Sequence, residues 1–464
     1  MVEPSRNYAA YSYWLESCGD DLTPRPALDG SVDVDVAILG AGYSGLWTAY
    51  YLLKHDPSLK VAIAEKEIAG FGASGRNGGW CSSGFPVTLT DLARRYGDEA
   101  AVRLHHAMVD SVDEVGLVAE DEGIDADYEK GGALRFARGQ HQLPAIESSL
   151  ETYRRFGIEE HYQRLTEDEA RSRVNVGGAL GAVFTPNCAT IHPGKLARGL
   201  ARTVERMGAT IYEQTPVTSY TEGASAALHT ERGDIRAKTI VLAGESYLSQ
   251  LKQLDRQVIP IYSLIVLTRP LSDAQWAEIG WRGRECVSSN RLTVDYLSRT
   301  TDGRILFGGR GAPYHYGSKI DDEFDRHDAT HRMLREAAME WFPSLDQDDF
   351  SHAWGGPLGV PRDWMPTIAL DRASGVATAR GYTGQGVSTT NLSGRILADL
   401  ILERDSEVTR LPQVGHQSPD WEPEPLRYLG VRFVQRTYAR LDEKAARTGR
   451  PPDGTTLGER ISRH

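Results

Sequence analysis

VDVAILGAGYSGLWTAYYLLKHDPSLKVAIAE, residues Val34–Glu65, decides how this chain is read. Val34, Val36, Ile38 and Leu39 form the apolar run of a strand covered on both faces. Gly40-x-Gly42-x-x-Gly45 follows at once and opens a helical pattern over Leu46–Leu53. A second apolar run, Val61 to Ala64, ends in Glu65, 20 residues after Gly45. This strand–turn–helix–strand order is the context that dinucleotide binding requires. Gly40 permits the tight turn, Gly42 lets backbone approach a pyrophosphate, and Gly45 lets helix pack on strand. The pyrophosphate charge suits a helix N-terminus, so Tyr43 and Ser44 join the expected contacts. Glu65 accepts from an adenosine ribose and disfavours a 2′-phosphate, which selects FAD or NAD over NADP. Lys66 follows as a neighbouring contact.

The 464 residues, 40% of them hydrophobic, suffice for two or more domain-sized units. A net charge of −12 excludes nucleic acid as an expected partner. The N-terminus shows no basic-then-apolar signal, and no apolar run reaches the roughly 18 residues of a membrane span. Cys18, Cys81, Cys188 and Cys286 are far apart with no CxxC, so they read as reduced, structural and cytoplasmic, without a metal site.

Residues 1–30 read as a segment laid across the surface before the first strand. Helical patterns run from Asp91 to Glu122 and from Leu143 to Phe156. Dinucleotide-domain character returns near residue 188, with a helix over His192–Met207 and strands at Ala209–Tyr212, Ala226–Thr230 and Thr239–Leu242. The last strand enters the turn Ala243-Gly244, which is able to approach a cofactor. Strands then dominate, at Tyr262–Leu267 and Ile305–Phe307, before a helix over Asp325–Phe342. The expected architecture is mixed α/β. A Rossmann-like dinucleotide half (31–85, 188–255 and 351–405) is interleaved with an antiparallel-sheet substrate half (86–187 and 256–350). A helical extension (406–464) carries Leu426, Leu429, Phe433 and Leu441 at near-helical spacing among arginines. It reads as docked on the body or on a second subunit, as in a homodimer, with the arginines solvated, or alternatively as a basic arm for an anionic partner.

Two further stretches carry chemistry. Gly70-Phe71-Gly72-Ala73-Ser74-Gly75-Arg76-Asn77-Gly78-Gly79-Trp80 concentrates glycine where backbone must lie against a phosphate chain and a flat ring. Gly381-Tyr382-Thr383-Gly384-Gln385-Gly386-Val387-Ser388 opens a helix whose amide donors suit an electron-rich ring edge. No GxSxG elbow and no HExxH occur, and His105-His106 lie in a helical pattern where adjacent residues cannot face one site.

DVAILGAGYSGL, GFGASGRNGG, IPIYSLIVLTRPL (259–271) and GYTGQGVSTTNLSGRILADLI (381–401) together resemble the D-amino-acid-oxidase-type FAD oxidoreductases. Among these the gamma-glutamylputrescine oxidoreductases are nearest, with glycine and sarcosine oxidases also similar. The resemblance spans roughly residues 10–405. It implies FAD contacted by Gly72, Ala73, Ser74, Arg76, Asn77, Gly78 and Gly79 near the flavin end. Val217 would supply backbone contacts to adenine, and the Ala243-Gly244 turn would approach the cofactor. Gly381, Gly384, Gln385, Gly386, Val387 and Ser388 would run beneath the ring. The implied chemistry removes hydride from carbon beside an amine nitrogen and hydrolyses the imine, with O2 as acceptor. A dehydrogenase feeding a carrier, or a monooxygenase, is the alternative, and a non-catalytic scaffold is a third reading.

Two departures stand out. Sarcosine-oxidase-like members attach FAD through a cysteine, but Trp354–Asp363 has none here, so non-covalent FAD is expected. Ser388 stands where those members carry an oxygen-activating lysine. On the substrate side, Tyr262, Arg310 and Trp354 are the candidates, with Trp80, Tyr314 and His315 nearby. Arg310 either clamps a carboxylate or closes a strand-end ion pair.

Overall fold

The apolar run before Gly40 becomes β1 (Val32–Leu39), pairing in parallel with β2 (Val61–Ala64) and β11 (Gly233–Leu242). The computed structural model describes residues 6–310, 313–452, 454 and 456–458, without the side chain of Arg310. Val36 and Ile38 point into one apolar cluster and Ala37 into another, so both faces of β1 are covered. β8 (Thr210–Tyr212) extends the parallel set beyond β2, and β18 (Val376–Arg380) extends it beyond β11. β17 (Thr367–Asp371) adds an antiparallel edge, and β9 (Val217–Thr221) and β10 (Ala227–Thr230) form a small meander on β11.

Helix α2 (Tyr43–His55) is buried on every side through Leu46, Trp47, Tyr50 and Leu52. It packs against α7 (Pro193–Arg206) and α10 (Gly386–Ile401). A Cβ on Gly394 would lie 2.6 Å from Trp47 Cβ, so only glycine lets α10 approach α2 this closely. The helical pattern from Asp91 to Glu122 is two helices, α3 (Leu89–Tyr96) and α4 (Asp98–Asp121). Gly97 between them has φ +88°, a left-handed conformation that ends the first helix. α4 buries Leu104, Met108 and Val112 in the same cluster as α2, although residues 86–187 read from sequence as the substrate half.

The second sheet has strand order β16 (Phe350–Val360), β12 (Ile259–Thr268), β15 (Ile305–Arg310), β14 (Asp295–Arg299), β13 (Cys286–Ser289), β4 (Ala133–Arg138), β6 (Ala179–Thr185), β5 (Gln163–Leu165). It is antiparallel except between β13 and β4. β16 belongs here, whereas residues from 351 onward were expected in the dinucleotide half. Its long ladder with β12 runs from Ile259–Val360 to Thr268–Phe350. Pro361, which has no N–H to donate, follows immediately, and the chain re-enters the parallel sheet only at β17.

One face of this sheet, through Tyr262, Leu264 and Phe307, packs under α9 (Asp328–Trp341). The other, through Ile265, Leu306, Trp354 and Tyr296, faces Tyr13 and Trp14. The N-terminal segment is therefore not merely laid on the surface. Trp14 is 3% exposed and Leu28 is fully enclosed. Helices α1 (Tyr13–Glu16), α5 (Leu143–Arg155), α6 (Glu167–Arg173) and α8 (Asp273–Ile279) complete the body.

The extension forms α11 (Leu426–Thr448), but not with the expected face inward. Leu426, Leu429 and Phe433 are exposed, while Arg427, Asp442 and Ala445 are buried. Asp442 and Arg427 bond backbone groups of the body, and Tyr428 and Val431 supply the inward apolar contacts in place of the expected stripe. Among the described residues no helix is long and apolar enough to cross a membrane, and the four cysteines are free thiols.

Candidate functional site

Three glycines make the first turn possible. Gly40 has φ +100°, and a Cβ there would meet Ala243 O at 2.8 Å. This packs the Ala243-Gly244 turn directly against the dinucleotide turn. A Cβ on Gly45 would lie 2.0 Å from Gly40 O, closer than any backbone can accept. Gly42 caps α2 without a side chain, and Ser74 Oγ accepts the Tyr43 N–H at 2.8 Å. The start of α2 is thus a bare, positively polarised backbone end, bordered by one hydroxyl.

Glu65 is positioned by its neighbours to accept hydroxyl donors. Its two oxygens accept the N–H groups of Ala41 and Glu67, each at 2.9 Å. Burial, together with Glu213 and Glu67, pushes its pKa up to about 7, against the pull of those N–H groups. A half-buried carboxyl without a cationic partner among the described residues suits a neutral diol and repels a phosphate. Thr215 N–H donates to Glu65 O at 2.8 Å, bringing the segment that leads into Val217 beside it. Lys66 is exposed. These features fit the adenosine diphosphate half of FAD: a backbone cradle that a Cβ would fill, and an acceptor for a ribose.

The loop 70–80 is stitched down through its carbonyls. Trp354 Nε1 donates to Arg76 O at 2.9 Å, Trp14 Nε1 to Asn77 O at 2.8 Å, and Ser298 Oγ to Gly78 O at 2.9 Å. Ala73, Ser74 and Gly75 form a 3-10 turn, and a Cβ on Gly72 would pack on Tyr247 at 3.5 Å. Gly79, at φ +74°, leaves no room for a side chain beside Ile191 O. Asn77 secures the loop internally, accepting the Gly79 N–H at 2.9 Å. The Arg76 guanidinium is buried over the Phe71 ring, 2.5 Å from Asp325 and 2.7 Å from the Tyr247 hydroxyl. Burial outweighs Arg76 and lifts Asp325 to about 6.

A third backbone element completes the site. Glu245, at φ 49°, accepts the N–H groups of Gly381 (3.0 Å) and Tyr382 (3.1 Å). Burial pushes it up to about 7 despite these bonds. Thr383 and Gly384 follow in left-handed conformation. Gly386 then begins α10, which has no side-chain cap, because Gln385 Oε1 instead takes the Ser82 hydroxyl at 3.3 Å. Gly384 and Gln385 are exposed, while Val387 and Ser388 are buried. The Ser388 hydroxyl donates to Ser82 O at 2.5 Å. Ser44 and Tyr382 share a hydrogen bond of 2.8 Å, so the uncapped starts of α2 and α10 are held against each other.

The substrate-side candidates separate. Trp354 is 3% exposed and spends its indole N–H on Arg76 O, which makes it a support for the loop. Tyr262 lies on the sheet face packed under α9, its hydroxyl bonded to the Asp321 backbone and within electrostatic reach of Arg76. Tyr314 bonds Glu424, and His315 stacks on Phe324 with ring centres 3.3 Å apart. Trp80 donates to Leu297 O at 3.0 Å. The side chain of Arg310 lies outside the described residues. Sequence reasoning missed Tyr296, which lies on the loop-facing side of the second sheet. Its ring covers Gly78 and its hydroxyl pairs with Ser263 at 2.9 Å. It also missed Glu245, whose only signal was its place just after the Ala243-Gly244 turn.

Residues 35–400 match the profile of the family described as FAD dependent oxidoreductase, DAO. The chain is 28% identical to the gamma-glutamylputrescine oxidoreductase of Escherichia coli, over 89% of this chain and 93% of that one. It is 30% identical to the probable oxidoreductase OrdL of Rhizobium meliloti, over 86% and 90% respectively. Its fold is that of the glycine oxidase crystal structure from Geobacillus kaustophilus, with a TM-score of 0.70 at 21% identity, covering 83% of this chain and 99% of that one.

Proposed function

This chain belongs to the DAO family of FAD-dependent oxidoreductases, and from that premise we propose that it oxidises the C–N bond of a small amine or amino acid. Bound FAD would supply a two-electron acceptor for the hydride on the carbon beside the nitrogen; with loss of a proton the amine becomes an imine that water hydrolyses, and O2 reduced by the two electrons and two protons gives hydrogen peroxide. The observation that carries this reading is the Ser44–Tyr382 contact, which joins the α2 start to the α10 start. One helix end suits a diphosphate and the other the electron-rich edge of a ring.

The chain's own part is binding and orientation. Glu65 would hold the ribose, the N–H groups at the start of α2 the diphosphate, and Gly384–Val387 the ring. The carbonyls of residues 76–78 are taken by Trp354, Trp14 and Ser298, which fixes the path of the loop. Tyr296 and Ser263, opposite that loop, lie where an amine would be oriented. Residues 354–363 carry no cysteine, and the reading is non-covalent FAD. The free thiols support a reducing compartment such as the cytoplasm.

Ser388 favours a second reading. With its hydroxyl turned to Ser82 O, that position offers no cation to oxygen, which suits a dehydrogenase that hands electrons to a carrier. Purified protein should absorb near 450 nm and release flavin on acid denaturation. Anaerobic bleaching by a panel of polyamines, N-methyl amino acids and amino acids identifies the substrate class. Oxygen uptake with peroxide formation then supports the oxidase, and failure of the reduced protein to reoxidise in air supports the dehydrogenase. Colourless protein that binds no FAD would sink both readings.

A further inference from the structure

A cavity of about 490 Å³ lies between the second sheet, α9 and α11, the size range of small-ligand pockets. Its floor, including Phe307 and Gly309, is the sheet face opposite to that bearing Tyr296 and Ser263. The β12–β15 ladder ends at Ser263–Arg310, and beyond it the cavity reaches Ile261 and Val360. Val360 adjoins Gly359, whose carbonyl holds Thr383 N–H at 3.2 Å. The cavity therefore borders the element at the ring end.

The roof is a helix fastened at both ends. At the near end, Trp421 Nε1 donates to Val360 O at 2.8 Å and Arg427 to Asp255 O at 3.0 Å. At the far end, Asp442 accepts the N–H groups of Leu292 (3.0 Å) and Thr293 (2.9 Å). Between these anchors, Val431 and Val434 line the cavity, and a Cβ on Gly430 would meet nothing within 4 Å.

The charges in the lining are uneven. Asp295 is occupied by Ser289, and Glu422 is paired with Arg362. Arg432 and Arg436, one turn apart, have no carboxylate partner among the described residues. Among the described residues Arg432 Nε is enclosed without a hydrogen-bond partner, and its Nη1 donates to the neutral Gln435 at 3.2 Å. Glu443, exposed beyond Arg436, is the remaining lining carboxylate. Leu426 (62% exposed) and Met333 (44%) make the rim apolar.

We infer that this cavity is a binding site for an amphipathic anion, its apolar body under Gly430 and its anionic group at Arg432 and Arg436. The occupant is either an effector or the end of a substrate that carries both the apolar body and the anionic group, and the same chemistry serves both. The inference does not depend on which amine is oxidised.

Octanoate is the probe and 1-octanol its uncharged control, both titrated calorimetrically into the FAD-loaded protein. Octanoate should bind at least about tenfold more tightly than octanol. Gly430→Phe, which fills the open space, should abolish octanoate binding. Arg432→Gln should weaken octanoate by about tenfold and leave octanol unchanged. Arg432→Gln carries the test alone if Gly430→Phe lowers the melting temperature. Competitive inhibition of amine oxidation by octanoate marks a substrate end, and non-competitive inhibition or activation marks an effector. Equal affinity for octanol and octanoate, or unchanged octanoate binding by both variants, overturns the site.

Discussion

At the scale of single residues, Glu65 and the glycines before it make separable demands. In ligand-free protein the Glu65 carboxyl sits near pKa 7 because it is buried, so much of it is protonated at pH 6. Ribose hydroxyls donate more strongly to the charged form. FAD binding should therefore expel a proton, and affinity should rise from pH 6 to pH 8, by at most about tenfold per pH unit. Glu65→Gln should bind FAD more weakly and with little pH dependence, as read by flavin fluorescence during titration of apoprotein. A flat wild-type profile would contradict this role. The glycines should divide by what a methyl group meets. Gly42→Ala faces only the Ser74 hydroxyl at 3.0 Å, which can move, so the protein should fold and bind FAD about tenfold or more weakly. Gly45→Ala drives a Cβ into Gly40 O at 2.0 Å, and soluble, flavin-bound protein should not be recovered.

At the scale of elements, the entrance of α10 depends on one carboxyl outside it. Glu245 supports Gly381 and Tyr382, and its folded-state pKa of about 7 is raised by burial. For an acid with a raised folded pKa, the stabilisation is complete below the unfolded value near 4.5 and is lost as pH climbs through about 7. Glu245→Gln keeps one acceptor oxygen and loses the titration. Wild type should therefore be more stable than the variant at pH 5, and that margin should shrink by about 2 kcal/mol by pH 8. Urea unfolding of apoprotein at the two pH values measures it. A margin independent of pH would show that Glu245 does not titrate in this range.

At the scale of the whole molecule, the two sheets meet around the loop 70–80. The buried Arg76–Asp325 pair crosses that junction and is reinforced by Tyr247. Removing one partner of a buried pair strands the other charge, a loss of about 3–5 kcal/mol. Asp325→Asn retains one oxygen acceptor, so the lower end is expected, together with faster flavin release. Denaturant unfolding and the flavin off-rate test this. A neutral effect on both would mean that the junction rests on the tryptophan contacts to Arg76 and Asn77 instead.

The sequence by itself determined the dinucleotide unit, because Gly40, Gly42, Gly45 and Glu65 act through backbone geometry and charge within one local stretch. The ring-end motifs were legible for the same reason: glycines in a short loop state how closely a ligand must approach. Periodicity locates the helices but not the break at Gly97, because a left-handed glycine leaves no mark on apolar spacing. The tertiary structure alone decided which sheet Phe350–Val360 joins, since strand pairing depends on a partner about a hundred residues away. It alone turned Trp354 from a substrate candidate into a loop support, because one buried N–H finds its acceptor on a distant segment. It also set α11 with Leu426, Leu429 and Phe433 outward. Asp442, Arg427 and Glu424 bond backbone groups of the body, and no apolar pattern encodes polar bonds to distant carbonyls and amides.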